Sequence, residues 1–239
     1  RLPVWNGELY LEFHRGTYTS AAGNKKNNRR SEFLYQNGEW AASMAKLLCS
    51  MPYPKSDLQR GWEMILTNQF HDIIPGSSIA EVYAQSDIDY GIIREIGESV
   101  LGNAQTAIAG GISRSCGYVV FNPNGTDGNG VVDLNGVCAY VEGIPAKGYA
   151  CVKGFKTHNR IAVGERSLEN RFFHLCFDQD MLITSIYDKR AGREVLQEGK
   201  RGNELRVYAD YPDNYDAWEW QEFSAESEYR VLTDVQSYI

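Results

Sequence analysis

Between Gly7 and His14 apolar and polar residues alternate, with Leu9, Leu11 and Phe13 on one side and Glu8, Tyr10, Glu12 and His14 on the other. That period of two predicts a half-buried strand, with Arg15, Gly16 and Thr17 as its exit. The period then lengthens. From Arg29 to about Cys49, the residues Phe33, Trp40, Met44 and Leu47 or Leu48 recur at helical spacing, with Asn37-Gly38 placed to weaken or kink the helix. Met51-Pro52-Tyr53-Pro54 breaks the chain. Ser56-Asp57-Leu58-Gln59 predicts a capped helix start, and Leu58, Trp62, Ile65, Leu66 and Phe70 follow as an apolar stripe. A second capping pattern, Ser78-Ile79-Ala80-Glu81, opens a third helix that runs to about Ala109. Three helices with short connections predict an up-down-up bundle.

Past Gly110-Gly111 the pattern becomes short β-branched runs, Gly117 to Phe121 and Val131 to Leu134, separated by Asn, Gly and Asp turns. It continues through Arg171 to Phe177, through Met181 to Tyr187 and, at the end of the chain, through Glu228 to Leu232. Such spacing predicts an all-β domain of sandwich type beginning near residue 113, and the fold class is α+β.

Composition narrows the partners. The 239 residues are 43% hydrophobic with a formal charge of -7, and no long apolar run is present, so a membrane is not expected as a partner. The densest basic cluster, Lys25-Lys26-Asn27-Asn28-Arg29-Arg30, reads as solvated charge beside a helix, so nucleic acid is not expected either. Cys49, Cys116, Cys138, Cys151 and Cys176 are odd in number and widely spaced, which predicts buried thiols in a reducing, cytoplasmic setting. Because the chain opens on Arg1 inside a patterned segment and stops in a strand-like run, it reads as a piece of a longer protein.

The candidate chemistry lies in Asn68-Gln69-Phe70-His71-Asp72-Ile73-Ile74-Pro75-Gly76-Ser77-Ser78. Thr67, Asn68 and His71 share a stripe away from the apolar face of the second helix, with Asp72 beside it. A neutral imidazole can ligate a divalent ion, and a neighbouring carboxylate can accept from a substrate hydroxyl. The same dipeptide can equally be a histidine satisfied by a carbonyl or a helix cap. His14 is the one other histidine on a plausible face, and no H-E-x-x-H, phosphate loop or G-x-S-x-G occurs. Tyr211 to Trp220 offers aromatic rings and carboxylates suited to a sugar, or a turn flanked by core aromatics.

Three segments resemble the α-mannosidases of glycoside hydrolase family 38: Trp5 to Ser20, Asn68 to Ser78, and Asp213-Asn214-Tyr215-Asp216-Ala217-Trp218-Glu219. Their order and spacing are similar too, and the bacterial and cytosolic branch is the nearest in pattern. The resemblance implies that residues 1–27 end an α/β catalytic domain, 28–112 form a three-helix middle domain, and 113–239 begin a C-terminal β domain. It implies a retaining glycosidase acting on terminal α-mannosides of oligosaccharides with a bound metal, usually zinc. By that likeness His71 is a metal ligand, while Asp72, His14, Arg15, Tyr215 and Asp216 face the sugar. The nucleophile, the acid/base and the other metal ligands are expected upstream of Arg1, so Glu8 and Glu12 are not assigned as catalytic and the chain by itself is expected to be inactive. Its partners would be a mannose-containing oligosaccharide and the remainder of the same polypeptide, with homo-oligomer formation left open. Two other readings stay open: a His-Asp metal phosphohydrolase, and a non-catalytic carbohydrate-binding or structural module.

Overall fold

The computed structural model describes residues 2–6, 14–112, 117–153, 161–209, 215, 217–218 and 228–233. The strand expected from Gly7 to His14 lies outside the described residues except for His14. The chain divides into two compact units, Arg1–Phe155 with Pro212–Trp220, and Lys156–Tyr211 with Gln221–Ile239.

In the first unit a 3-10 turn (Gly16–Tyr18) leads into α1 (Ala22–Cys49), α2 (Lys55–Asn68) and α3 (Ala80–Gly110). Asn24 Nδ2 donates to Ser86 Oγ at 2.7 Å near one end of the pair, and Cys49 Sγ donates to Ala107 O at 3.4 Å near the other, so α1 and α3 run parallel. Between them α2 runs antiparallel to α1, with Gln69 reaching Asn28 and the Trp62 indole reaching Glu39. The up-down-up order expected from the loop lengths is therefore present.

Local details differ from the sequence reading. Neither Ser56 nor Ser78 caps a helix: Pro54 and Ile79 occupy the N-cap positions, with no side-chain cap bond at either. Ser78 instead gives its backbone N–H to the Tyr83 hydroxyl at 3.1 Å. The first helix starts at Ala22, ahead of the expected Arg29, and continues through Asn37-Gly38. Gly38 is buried against Val100 of α3, and that packing outweighs a propensity cost of about 1 kcal/mol.

The apolar stripe expected on α1 is also displaced. Phe33, Leu47 and Leu48 are exposed and Trp40 and Met44 pack partly buried against the core, whereas Tyr35, Ala41, Ala42 and Ala45 form the buried face. Small residues win because they let the helix axes approach. The centre of this core is Tyr35, fully buried, with its hydroxyl donating to Ile93 O at 2.9 Å and its ring edge-on to Trp62. Gly61 of α2 and Gly97 of α3 flank that ring, so closely that a Cβ on either would strike it. Leu58, Ile65, Ile93, Val100 and Ile108 complete the core, each burial removing about 1.5–3 kcal/mol of apolar surface from water.

The first unit ends in four strands, β1 (Tyr118–Asn122), β2 (Gly128–Leu134), β3 (Val137–Ile144) and β4 (Gly148–Val152). β1 pairs antiparallel with β4 and β2 with β3. Asn135 and Gly136 both take positive φ at the β2–β3 turn, the backbone that a two-residue hairpin loop demands. Val120, Leu134, Ala139, Val141 and Ile144 make a second small core, while Phe121 packs on the helical one.

The second unit holds an antiparallel meander of β5 (Ala162–Gly164), β6 (Ser167–Glu169), β7 (Phe173–Phe177), β8 (Ile183–Asp188) and β9 (Arg193–Glu194). A further pair, β10 (Arg206–Tyr208) with β11 (Tyr229–Val231), belongs to the same unit. Helices followed by antiparallel sheets match the expected α+β class.

The cysteine expectation does not hold. Cys151 is disulfide-bonded, Cys49 and Cys138 are exposed free thiols, and Cys176 is half-buried. Among the described residues no helix is long and apolar enough to cross a membrane.

Candidate functional site

The residues singled out by sequence fall on loops that the bundle holds at one end. α2 stops at Asn68, and the chain turns tightly through His71 and Asp72, with Ile73 N and Ile74 N both donating to Phe70 O. His71 and Asp72 therefore lie beyond the helix, not on its last turn as the stripe suggested. Asn68 departs from that stripe as well: it is 2% exposed and turns inward, donating to Met64 O at 3.0 Å and to Asp89 Oδ2 at 3.3 Å. It anchors the turn and does not present chemistry. Tyr83 completes the anchoring, its hydroxyl donating to Ile73 O at 3.0 Å.

At the tip the His71 side chain is 80% exposed and that of Asp72 56% exposed, with His71 Nε2 3.6 Å from Asp72 Oδ2. The centroid of the Phe70 ring lies 4.2 Å from that of the imidazole. An exposed imidazole with a carboxylate alongside has the donor chemistry for a zinc-class ion. Yet among the described residues no three His, Cys, Asp or Glu side chains gather to hold one, and a single imidazole does not make a tight site. These residues could supply at most part of a metal's coordination shell.

The second loop runs from His14 to Ser20. Thr17 Oγ1 donates to His14 O at 2.8 Å, and Gly16, buried, begins the 3-10 turn. The aromatic segment lies across this turn. Gly16 N donates to Trp218 O at 2.9 Å, Ser20 Oγ donates to Ala217 O at 2.9 Å, and the His14 and Trp218 rings are 4.4 Å apart. Residues some two hundred positions apart are thus brought into contact, as a shared cleft requires. Tyr215 leads into that contact with a φ of 62° and 74% exposure, a left-handed backbone rarely held by an aromatic residue. Arg15 is half-buried. Asp216 lies outside the described residues, as do Glu8, Glu12, Asp213, Asn214 and Glu219.

The two loops meet at Ser20. A Cβ on Gly76 would lie 2.5 Å from Ser20 O, and Gly76 has a φ of +91°, so the turn after Asp72 is in direct contact with the turn after His14. Lys25 spans the same junction, donating from Nζ to Ser20 O and, at 2.8 Å, to Ile74 O. Burial lowers its pKa from the ordinary lysine value. The reading of the Lys25–Arg30 cluster as solvated charge is therefore wrong for Lys25. One signal was available: a lysine in the first turn of a helix opposes the macrodipole, and needs another reason to be there.

Comparison with known proteins gives the family of the chain. Residues 12–108 match the family model described as alpha mannosidase middle domain, and residues 168–239 match that of the glycosyl hydrolases family 38 C-terminal domain. Alpha-mannosidase 2C1 of Mus musculus is 30% identical over 97% of this chain and 24% of its own length. The alpha-mannosidase of Saccharomyces cerevisiae is 29% identical over 97% of this chain and 21% of its own. The chain thus spans about a quarter of the length of the curated relatives it matches. Among solved structures, an alpha-mannosidase from Enterococcus faecalis V583 superposes with a TM-score of 0.63 at 15% identity, covering 92% of this chain and 33% of that one. A glycosyl hydrolase family 38 protein from Enterococcus faecalis gives 0.64 at 16%, covering 98% and 35%; at these identities the likeness is one of fold.

The helical bundle and the β region that follows it are matched in turn by a middle-domain and a C-terminal-domain model of one family. The chain belongs to glycosyl hydrolase family 38.

Proposed function

We propose that this chain forms one edge of the sugar site of an α-mannosidase that hydrolyses terminal α-mannosides of oligosaccharides with retention and with a divalent metal, most simply zinc. The observation that carries the reading is the convergence of the three sequence segments on the turn from His14 to Ser20, through Gly76 and Lys25 on one side and Ala217 and Trp218 on the other. The names of the relatives support the substrate class.

In this reading His71 supplies one metal ligand and the remainder of the same polypeptide supplies the others, together with the nucleophile and the acid/base. The metal would add Lewis-acid chemistry at the sugar. Asp72 accepts from mannose hydroxyls, His14 and Arg15 donate to them, and the Tyr215 ring covers an apolar face of the pyranose with Asp216 beside it. A chain holding one ligand and no nucleophile does not hydrolyse by itself. Exposed Cys49 and Cys138 support a reducing, cytoplasmic setting, whereas the Cys151 disulfide does not.

The test compares the full-length protein with the 239-residue chain on a chromogenic α-mannoside, with and without chelator, reading product anomer by NMR and bound metal by elemental analysis. The full-length enzyme should release the α-anomer first and lose activity with chelator. His71→Ala should lower its bound metal to below a tenth of one equivalent. Hydrolysis by the chain alone, first release of the β-anomer, or full metal content in His71→Ala would each overturn the proposal.

A further inference from the structure

We infer that Lys25 is a positioning residue, a clasp whose ammonium sets the spacing between the His14–Arg15 half and the His71–Asp72 half of the site; its role in turnover rests on the function proposed above. The geometry is specific to a flexible cation with several donors. Nζ reaches two backbone carbonyls that belong to different loops, Ser20 O five residues before it and Ile74 O forty-nine residues after it. An ammonium carries three N–H donors on a compact head, so it can serve two carbonyls at once, which an alkyl side chain cannot do.

Each carbonyl lies in a loop that is stiff on its far side. Ser20 N and Oγ both donate to Gly16 O, and Ser20 Oγ also reaches Ala217 O, so the His14–Ser20 turn and the Trp218 segment move with Ser20. Ile74 N and Ile73 N are bonded to Phe70 O, and Ile73 O is held by Tyr83, so His71 and Asp72 move with Ile74. Gly76 admits the contact from the other direction, because any side chain there would meet the Ser20 backbone. Lys25 and Gly76 together fix how far apart the two stiff halves lie: the first pulls them together and the second lets them touch. The half-burial of Lys25 and its lowered pKa agree with a cation engaged inside this junction.

A displacement of about 1 Å between groups that grip one substrate can cost on the order of 100-fold in turnover. Lys25→Met keeps the stem and removes the donors; Lys25→Arg keeps a cation with several donors. In full-length protein, Lys25→Met should raise amide hydrogen exchange in both the 14–20 and the 70–78 peptides while the thermal midpoint stays within a few degrees. It should lower kcat/KM on the α-mannoside by roughly 100-fold, whereas Lys25→Arg should keep at least roughly a tenth of wild-type kcat/KM. Gly76→Ala, which wedges the same junction, should raise exchange in the same two peptides, and the double variant should be less than additive.

Unchanged exchange in both peptides of Lys25→Met, or a Met variant as active as the Arg variant, would overturn the clasp. Should Lys25→Met fail to fold, Lys25→Ala, which also lacks a donor, and Gly76→Ala give the same two-peptide reading. If wild-type protein turns over no α-mannoside, the function falls, and the exchange data still decide whether Lys25 couples the two loops.

Discussion

Gly61→Ala is the substitution whose outcome the packing predicts against helix propensity. An alanine in the interior of α2 should by itself favour the helix by about 1 kcal/mol over glycine. At this position the added methyl would lie 1.8 Å from Tyr35 Oη and 2.3 Å from Cε1 and Cζ, against a comfortable separation of about 3.5–4.0 Å. The opposite edge of the Tyr35 ring lies close to α3, where an added Cβ at Gly97 would come within 2.9 Å of Cε2. Either the ring leaves its slot and the hydroxyl gives up Ile93 O, at a cost of about 1–3 kcal/mol for a buried donor, or α2 moves outward, at about 1–3 kcal/mol of overpacking strain. After the propensity gain, either response alone leaves a net destabilisation of up to about 2 kcal/mol, and the two together about 1–5 kcal/mol. The control is Gly91→Ala on α3, where nothing lies within 4 Å of the new Cβ; it should stabilise by about 0.4–1 kcal/mol. Thermal midpoints of the two variants in full-length protein, read against wild type, should move in opposite directions. Adding Tyr35→Phe to Gly61→Ala removes the nearest atom and should recover part of the loss. A Gly61→Ala protein whose midpoint rises as that of Gly91→Ala does would refute the slot.

Two further expectations concern the β regions. Asn122, 5% exposed, donates to Thr126 O at 2.9 Å and to Ile144 O at 3.1 Å and accepts from Asn124 N at 3.0 Å, so Asn122→Ala should cost about 1–3 kcal/mol in chemical denaturation; a change under about 0.5 kcal/mol would show that water replaces all three bonds. Glu194 is held down from 4.5 to about 2, first by the Ser185 hydroxyl and then by the amides of Leu196, Ile186 and Val195. A carboxylate with a depressed folded-state pKa stabilises fully above its unfolded value, and that stabilisation is lost as pH falls from 4.5 towards 2. The thermal midpoint should accordingly fall less steeply over that window in Glu194→Gln than in wild type; identical slopes would contradict the assignment.

The sequence by itself determined the order of elements. Three helices, then antiparallel strands, were legible because hydrophobic period and turn residues are local signals that survive without a neighbour. It also marked the three segments that meet, since the residue patterns of the first two are long and specific and the third, though shorter, follows in order. Boundaries and caps were less secure: Ser56 and Ser78 have the right spacing for a capping box, yet Pro54 and Ile79 hold the N-cap positions, and at the second turn the Ser78 N–H goes to the Tyr83 hydroxyl. Phe33 and Leu48 looked like core and are exposed, while Ala41, Ala42 and Ala45 are buried, since the distance between helix axes decides which side chains fit, and that distance is not written in any one helix.

The site divides in the same way. His71 and Asp72 were visible as a polar pair, but their place beyond α2, the inward turn of Asn68 and the approach of Trp218 to His14 exist only in the folded chain. Lys25 shows the limit most plainly. As a member of a basic run it reads as solvated charge, and only the meeting of two loops forty-nine residues apart gives its ammonium two carbonyls to hold. Period and composition record what each segment can do alone; which segments touch, and so which groups act together, is set by the close packing of three helices around Tyr35.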